Sequence, residues 1–232
     1  MSNWLFTPPT TPAVSVEGES DRYPVRRIFC VGRNYAAHAA EMGVAVDREA
    51  PFYFTKSAHA ACPSGSTVAY PPGTANYHYE MELVVALGAD AYRVSPEQAP
   101  ATVYAYGCGL DMTRRDLQLA AREKQRPWDL GKDFEESAVL APLTPAAGFG
   151  EPGPQRIQLR VNDDIRQDAH IADLIWSVAE IISHLSGYYH LGPGDLIMTG
   201  TPAGVGPVQP GDRIHGTIDG LAPVELRIGT AM

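Results

Sequence analysis

The sequence predicts a mixed α+β protein that is mainly β, built from largely antiparallel strands with a few helices laid over them. Three observations carry this. Strand-like runs outnumber helical ones and lack the regular strand–helix–strand alternation of a parallel α/β fold. The 22 Gly and 20 Pro of the 232 residues are spread along the chain, which calls for many turns and argues against a helical bundle. Hydrophobic residues make up 44% and charged residues 19%, which fits a globular protein with a sizeable core in one large domain.

Residues 1–24 are rich in Pro, Thr and Ser and read as an extended N-terminal arm, with residues 25–232 as a single domain. RRIFCVG reads as a strand. NYAAHAAEMG then reads as a short helix, with Asn34 as N-cap and Gly43 as its stop. PFYFTKS is a second strand, followed by a Pro/Gly-rich stretch to Asn76. HYEMELVVAL places a strand over Tyr77 to Leu87, and Thr102–Leu110 forms another. Thr113–Lys124 is amphipathic with a helical period, and a long loop from Gln125 to Glu136 carries Trp128 and Lys132. RIQLRVNDDIRQDA reads as a hairpin turning at Asn162–Asp164. From Ile171 to Ser186 the apolar residues Ile171, Leu174, Ile175, Val178, Ile181, Ile182 and Leu185 keep the helical period and predict one helix. Two Pro-Gly-Asp turns each lead into an apolar strand, and two short strands close the chain.

The formal net charge of -9 argues against non-specific nucleic-acid binding, which needs a basic face. It leaves room for a small anionic substrate, because local cations in a cleft matter more than the sum. No run approaches the roughly 18 apolar residues of a membrane span. MSNWLFTPPTTP has no basic region followed by an apolar segment, so the expectation is a cytoplasmic protein without a signal peptide. Cys30, Cys62 and Cys108 are odd in number and lack metal-ligand spacing; they read as buried free thiols in a reducing compartment.

Three acidic residues stand out. Glu80 and Glu82 alternate on one strand and so point the same way, and an apolar run follows at once. Asp111 sits where a second strand breaks into a polar helix. Carboxylates carried into a core need a compensating cation. Hard oxygen ligands without Cys favour Mg2+, or Mn2+ and Ca2+, over Zn2+. Spacing alone fits a solvated strand edge as well, with Asp111 as a helix-start residue. His38 and Glu41 share a helix face at i, i+3; a carboxylate beside an imidazole suits a general base, although a surface pair would look the same. Arg115 and Gln118 repeat that spacing close to Asp111 and could hold a ligand carboxylate or keto oxygen, or simply form a solvent face. Lys132, between Gly131 and Phe134 in WDLGKDF, could stabilise an enolate or sit on a surface loop. TGTPAGVG, with Thr201, offers backbone N–H groups to an anion but lacks the Lys-Ser/Thr ending of a P-loop.

Taken in order, GRNYAAHAAEMG, PFYFTKS, HYEMELVVALG, GLDMTRRDLQ, PWDLGKDF and LIMTGTPAGVG closely resemble the fumarylacetoacetate hydrolase superfamily, most of all its short fumarylpyruvate and acylpyruvate hydrolases. The resemblance runs from about Val25 to Ile228. It implies a β-sandwich-like roll assembled as a homodimer. It implies Mg2+ or Mn2+ bound by Glu80, Glu82 and Asp111, a water-activating pair in His38 and Glu41, and Lys132 near the cleavage centre. Arg115, Gln118 and Thr201 would be substrate contacts. The implied activity is hydrolysis of a carbon–carbon bond in a 2,4-diketo acid such as fumarylpyruvate, giving fumarate and pyruvate, as in gentisate-type degradation of aromatic compounds. Decarboxylation or isomerisation of oxaloacetate or a related keto acid is the alternative within the superfamily, and a non-catalytic binding protein on the same scaffold is a second. The sequence departs from the family pattern at Ser57, where relatives often carry Pro, and at Asn162–Asp163, where Asn-Gly is common.

Overall fold

The computed structural model describes residues 4–43 and 48–231. Its centre is an eight-stranded mixed sheet. The strand order is Phe52–Lys56, Arg27–Gly32, Asp195–Met198, Met81–Leu87, Val103–Asp111, Ala138–Leu140 and Ala61–Pro63, and Thr144–Pro145 also pairs with Val103–Asp111. Asp195–Met198 runs parallel to Arg27–Gly32 but antiparallel to Met81–Leu87. A five-stranded sheet, ordered Asp164–His170, Arg156–Val161, Arg213–Ile218, Val224–Ala231 and Ser66–Tyr70, packs over one face. The expected mainly-β architecture is therefore the observed one.

The strand Met81–Leu87 shows why its sequence is apolar without a break. Met81, Leu83, Val85 and Leu87 join a core shared with Ile157, Leu159, Ile214 and Leu226 of the second sheet. Val84 and Ala86 face the other way, into a smaller core with Val14, Tyr23, Ile28 and Met198. A strand covered on both faces loses the polar half of the usual alternation. The smaller core is closed partly by a hairpin, Ala13–Ser15 against Arg22–Pro24, inside the stretch expected to be an extended arm.

Among the described residues, five α-helices lie at the edges: α1 (Ala36–Glu41), α2 (Arg115–Glu123), α3 (Asp129–Lys132), α4 (Ala146–Phe149) and α5 (Val178–Ser186). No helix among the described residues is long and apolar enough to cross a membrane. The expected helix over Ile171–Ser186 is broken. Ile171–Asp173 is a 3-10 turn, Leu174 bridges to Tyr35, the chain bends at Ile175 and Trp176, and α5 starts only at Val178 behind the capping pair Ser177 and Glu180. Asn34 is the cause. Its backbone oxygen accepts from Ile175 N at 2.8 Å, and its side chain both accepts from Trp176 N at 2.7 Å and donates to the Trp176 carbonyl at 2.9 Å. The same contacts correct its expected role as N-cap. Tyr35 holds that position without a side-chain bond, and Asn34 instead ties the start of α1 to Trp176 and, at 2.8 Å, to the Thr199 carbonyl. Gly43 stops α1 as expected, with φ +68.

Smaller differences share one reason. Glu80 separates Tyr77–Tyr79 from Met81–Leu87, because the chain passes there from a three-stranded sheet into the large one. Thr113 and Arg114 pair with His78 and Tyr77, so α2 begins at Arg115 and not Thr113. The hairpin turns where predicted, with Asn162 taking the left-handed conformation at φ +55 that asparagine tolerates. Ser57 also explains its departure from Pro: its N–H donates to Asp133 Oδ1 at 2.7 Å, a bond that proline could not make.

Candidate active site

Glu80, Glu82 and Asp111 come together through strand register. Met81 pairs with Leu110 and Glu82 with Gly109, which sets Asp111 beside Glu80; Asp111 N donates to the Glu80 carbonyl at 2.9 Å. One carboxylate oxygen from each of the three lies within 4.8 Å of the others, and all three residues are buried. This excludes the solvated strand edge.

Three cations surround them. Lys132, raised into the site by α3, donates 2.7 Å bonds to Glu80 Oε2, Asp111 Oδ2 and Thr113 Oγ1. Arg115, at the start of α2, bonds Glu80 Oε1 and Gln118 Oε1. Gly131 makes this junction possible, since a Cβ there would lie 2.8 Å from Gln118 N. Lys56 Nζ stands 2.9 Å from Asp111 Oδ1, with hydrogen bonds to Met112 O at 3.2 Å, Ser137 Oγ at 3.0 Å and the Lys132 carbonyl.

The electrostatics divide the triad. Burial works to raise the Glu80 pKa, but Lys132, Arg115 and His38 override it and hold the carboxyl well below its ordinary range. Glu82 goes the other way: burial, then Asp111 and Glu80, push it well above the ordinary value despite the 2.7 Å bond from Gly200 N. Burial works to lower the Lys132 pKa, and Asp111 and Glu80 outweigh it, so the ammonium persists. Beside them, burial and then Arg115 lower His78 to about 4, and it stays neutral.

This donor set fits a divalent cation. The oxygens are hard, Asp111 Oδ1 faces the Lys56 ammonium but accepts no hydrogen bond although buried, and Glu82 forms no ion pair among the described residues, with Lys132 only partly offsetting the burial that disfavours its anion. Glu80, Glu82 and Asp111 would hold the ion, and Lys132 and Lys56 would order the carboxylates behind it.

His38 lies 5% exposed on α1, with Nδ1 3.1 Å from Glu41 Oε2. Glu41 is itself anchored: Gly204 N donates to its two oxygens at 3.2 and 3.3 Å. A proton on Nδ1, facing the carboxylate, leaves Nε2 as the basic nitrogen. Of the nine residues singled out by sequence, His38, Glu80, Glu82, Arg115, Gln118, Lys132 and Thr201 line one cavity. Glu41 acts on it through His38, and Asp111 through the triad. Thr201 Oγ1 accepts from Gln167 Nε2 at 2.8 Å, which fixes its orientation.

Sequence reasoning missed Lys56, Gln167 and His78. Lys56 left a signal, since it shares the strand phase of Phe52 and Phe54 and so points inward. His78 was legible only as one more strand residue, and Gln167 sits in a hairpin far along the chain.

Buried carboxylates on adjoining strands of a β roll, with His38 in the same cavity, form a donor set that suits a divalent ion. The chain belongs to the fumarylacetoacetate (FAA) hydrolase C-terminal family, whose pattern matches residues 27–229. It is 55% identical to the fumarylpyruvate hydrolase of Ralstonia sp over 193 residues, covering 82% of this chain and 100% of that one. It is 39% identical to oxaloacetate tautomerase YcgM of Escherichia coli (strain K12) over 199 residues, covering 85% of this chain and 90% of that one. Its structure superposes on the crystal structure of fumarylpyruvate hydrolase from Pseudomonas aeruginosa in complex with Mn2+ and pyruvate with a TM-score of 0.95. The two are 50% identical, and the match covers 98% of this chain and 100% of the other.

Proposed function

We propose that the protein hydrolyses the C3–C4 bond of a 2,4-diketo acid, with fumarylpyruvate as substrate and fumarate and pyruvate as products. One observation carries the reading: His38, held by the anchored Glu41, opens into the same cavity as Glu80 and Glu82 of the carboxylate triad. The 55% identity to a fumarylpyruvate hydrolase supports it. When bound by the triad, Mg2+ or Mn2+ supplies Lewis-acid polarisation and a template for the 2-keto acid end.

The protein's own residues do the rest. Arg115 and Gln118 receive the substrate carboxylate and keto oxygen, with Thr201 of the same cavity as a hydroxyl contact. His38 Nε2 takes a proton from water as Glu41 steadies the imidazolium. Hydroxide adds to the C4 carbonyl. The tetrahedral oxyanion re-forms C=O and breaks C3–C4, and the electron pair passes into the pyruvate enolate. His38 returns the proton to C3, so that one water is consumed for the two acids released. The three N–H groups of Lys132 are engaged with Glu80, Asp111 and Thr113, and it favours the enolate through its charge. Aromatic-compound degradation, a homodimer and a cytoplasmic setting belong to this proposal; three buried free thiols support the reducing compartment.

The test follows the ultraviolet band of enolic fumarylpyruvate with Mg2+, with Mn2+ and with EDTA, while pyruvate is counted. Metal-dependent loss with one pyruvate per turnover establishes the hydrolase. No loss, together with turnover of oxaloacetate, moves the protein to the chemistry named for its 39% relative.

A further inference from the structure

The cavity has two unlike ends. The inner end holds the buried triad with Lys132, Arg115 and Gln118, and the outer end is exposed at Arg33. An aromatic wall joins them. Lys132 Nζ lies 4.8 Å from the Phe54 ring centre, Phe54 is 6.0 Å from Trp128, Trp128 is 5.4 Å from Phe52, and the Arg33 guanidinium carbon is 4.6 Å from the Phe52 centre. Phe52, Phe54 and Lys56 occupy one phase of one strand, so that face runs about 13 Å from Asp111's neighbour Lys56 out to Phe52.

Arg33 is placed by structure as well as by sequence. Its backbone takes the left-handed conformation, φ 56, which a long side chain adopts at a cost and which clusters at ligand sites. Gly32 before it has no Cβ where the Phe52 ring sits; any side chain there would collide with that ring. The ring therefore lies flush against the backbone and carries the guanidinium on its face.

We propose that Arg33 is the specificity-determining residue that receives a terminal carboxylate on the acyl group, and that the Phe54–Trp128–Phe52 wall takes the flat unsaturated carbons between the two ends. The preferred substrates are then diketo acids with a carboxylate at each end and a planar acyl chain, over those with a neutral acyl group. This deepens the hydrolase reading and rests on it.

Arg33→Asn removes the charge while keeping a residue suited to a left-handed backbone, and Arg33→Lys restores a cation without the planar fork. The measurement is the ratio of kcat/KM for fumarylpyruvate to that for acetylpyruvate, in the metal-loaded enzyme. Loss of a charge-assisted contact lowers that ratio about 10- to 100-fold in Arg33→Asn, chiefly through KM for fumarylpyruvate, with Arg33→Lys in between. A ratio within about twofold of the native one overturns the proposal. Calorimetric binding of fumarate and of crotonate, which lacks the second carboxylate, separates this from the fate of the hydrolase reading. If the native enzyme cleaves neither diketo acid, that reading falls. Arg33 is then decided by binding alone: a selective loss of fumarate affinity in Arg33→Asn upholds it, and equal affinity overturns it.

Discussion

Replacing Lys56 by Met tests how the site is held together. Lys56 is fully buried, 2.9 Å from Asp111 Oδ1, and donates to Met112 O, Ser137 Oγ and the Lys132 carbonyl. Met fills similar space but leaves a buried carboxylate with one cation fewer and two carbonyls without this donor. Removing one partner of a buried ion pair costs about 3–5 kcal/mol. In a domain of this size each kcal/mol moves Tm by about 2–4 °C, so Lys56→Met should unfold roughly 6–20 °C below the native protein in EDTA. A divalent ion on the triad supplies part of the missing charge. Saturation at a hundred times Kd adds about 2.7 kcal/mol to any binder, and the variant should gain more than the native protein because its Asp111 has lost a competing cation. The assay is thermal unfolding by circular dichroism with EDTA and with Mn2+. A variant within about 2 °C of native in EDTA, or one stabilised less by Mn2+ than the native protein, refutes the reasoning.

Other perturbations separate the roles within the site. His38→Ala should lower turnover about 10²- to 10⁴-fold, with Mn2+ affinity by titration nearly intact; full activity in this variant would remove His38 from water activation. Glu82→Gln keeps an acceptor for Gly200 N but loses a ligand charge, and Mn2+ affinity by paramagnetic resonance should weaken by more than about tenfold; unchanged affinity would take Glu82 out of the metal site. His78 has its pKa lowered to about 4, chiefly by burial and then by Arg115. Between its unfolded value near 6.5 and about 4 the unfolded chain binds the extra proton. Its contribution is therefore complete above about pH 6.5 and is lost as pH falls toward 4. Denaturant unfolding across that window should show a shallower pH slope in His78→Gln, and an identical slope would assign the acid loss to other groups.

How much of this was legible in the chain depends on the range of the interaction that decides it. Strand periodicity, Gly and Pro punctuation and the Pro-Gly-Asp turns are local, and the mainly-β fold follows from them. The candidate residues were also legible by type and spacing: Glu80 with Glu82, His38 with Glu41, and Arg115 with Gln118. Even so, spacing alone left each pair open to a bland reading.

Tertiary structure buries Glu80, Glu82, Asp111, His38, Arg115 and Gln118, which a solvated face would not do. Burial of the triad and a shared cavity come from pairing Met81 with Leu110, residues far apart in the chain, which no local period encodes. The apolar rhythm from Ile171 to Leu185 recorded the burial of Ile171, Val178, Ile181, Ile182 and Leu185 but not that Asn34, from a distant segment, pulls residues 174–176 out of a helix. Asn34 itself looked like a cap because capping is local, and it became a clamp because two buried backbones offered it more partners. Lys56 lay in plain view on a strand. Only the fold brought Asp111 to it, and only there does a buried lysine pair with the carboxylate triad. The sequence alone determined which chemical groups are available and where the chain turns. The opposing charges that give those groups their protonation states are assembled only when distant segments exclude water together.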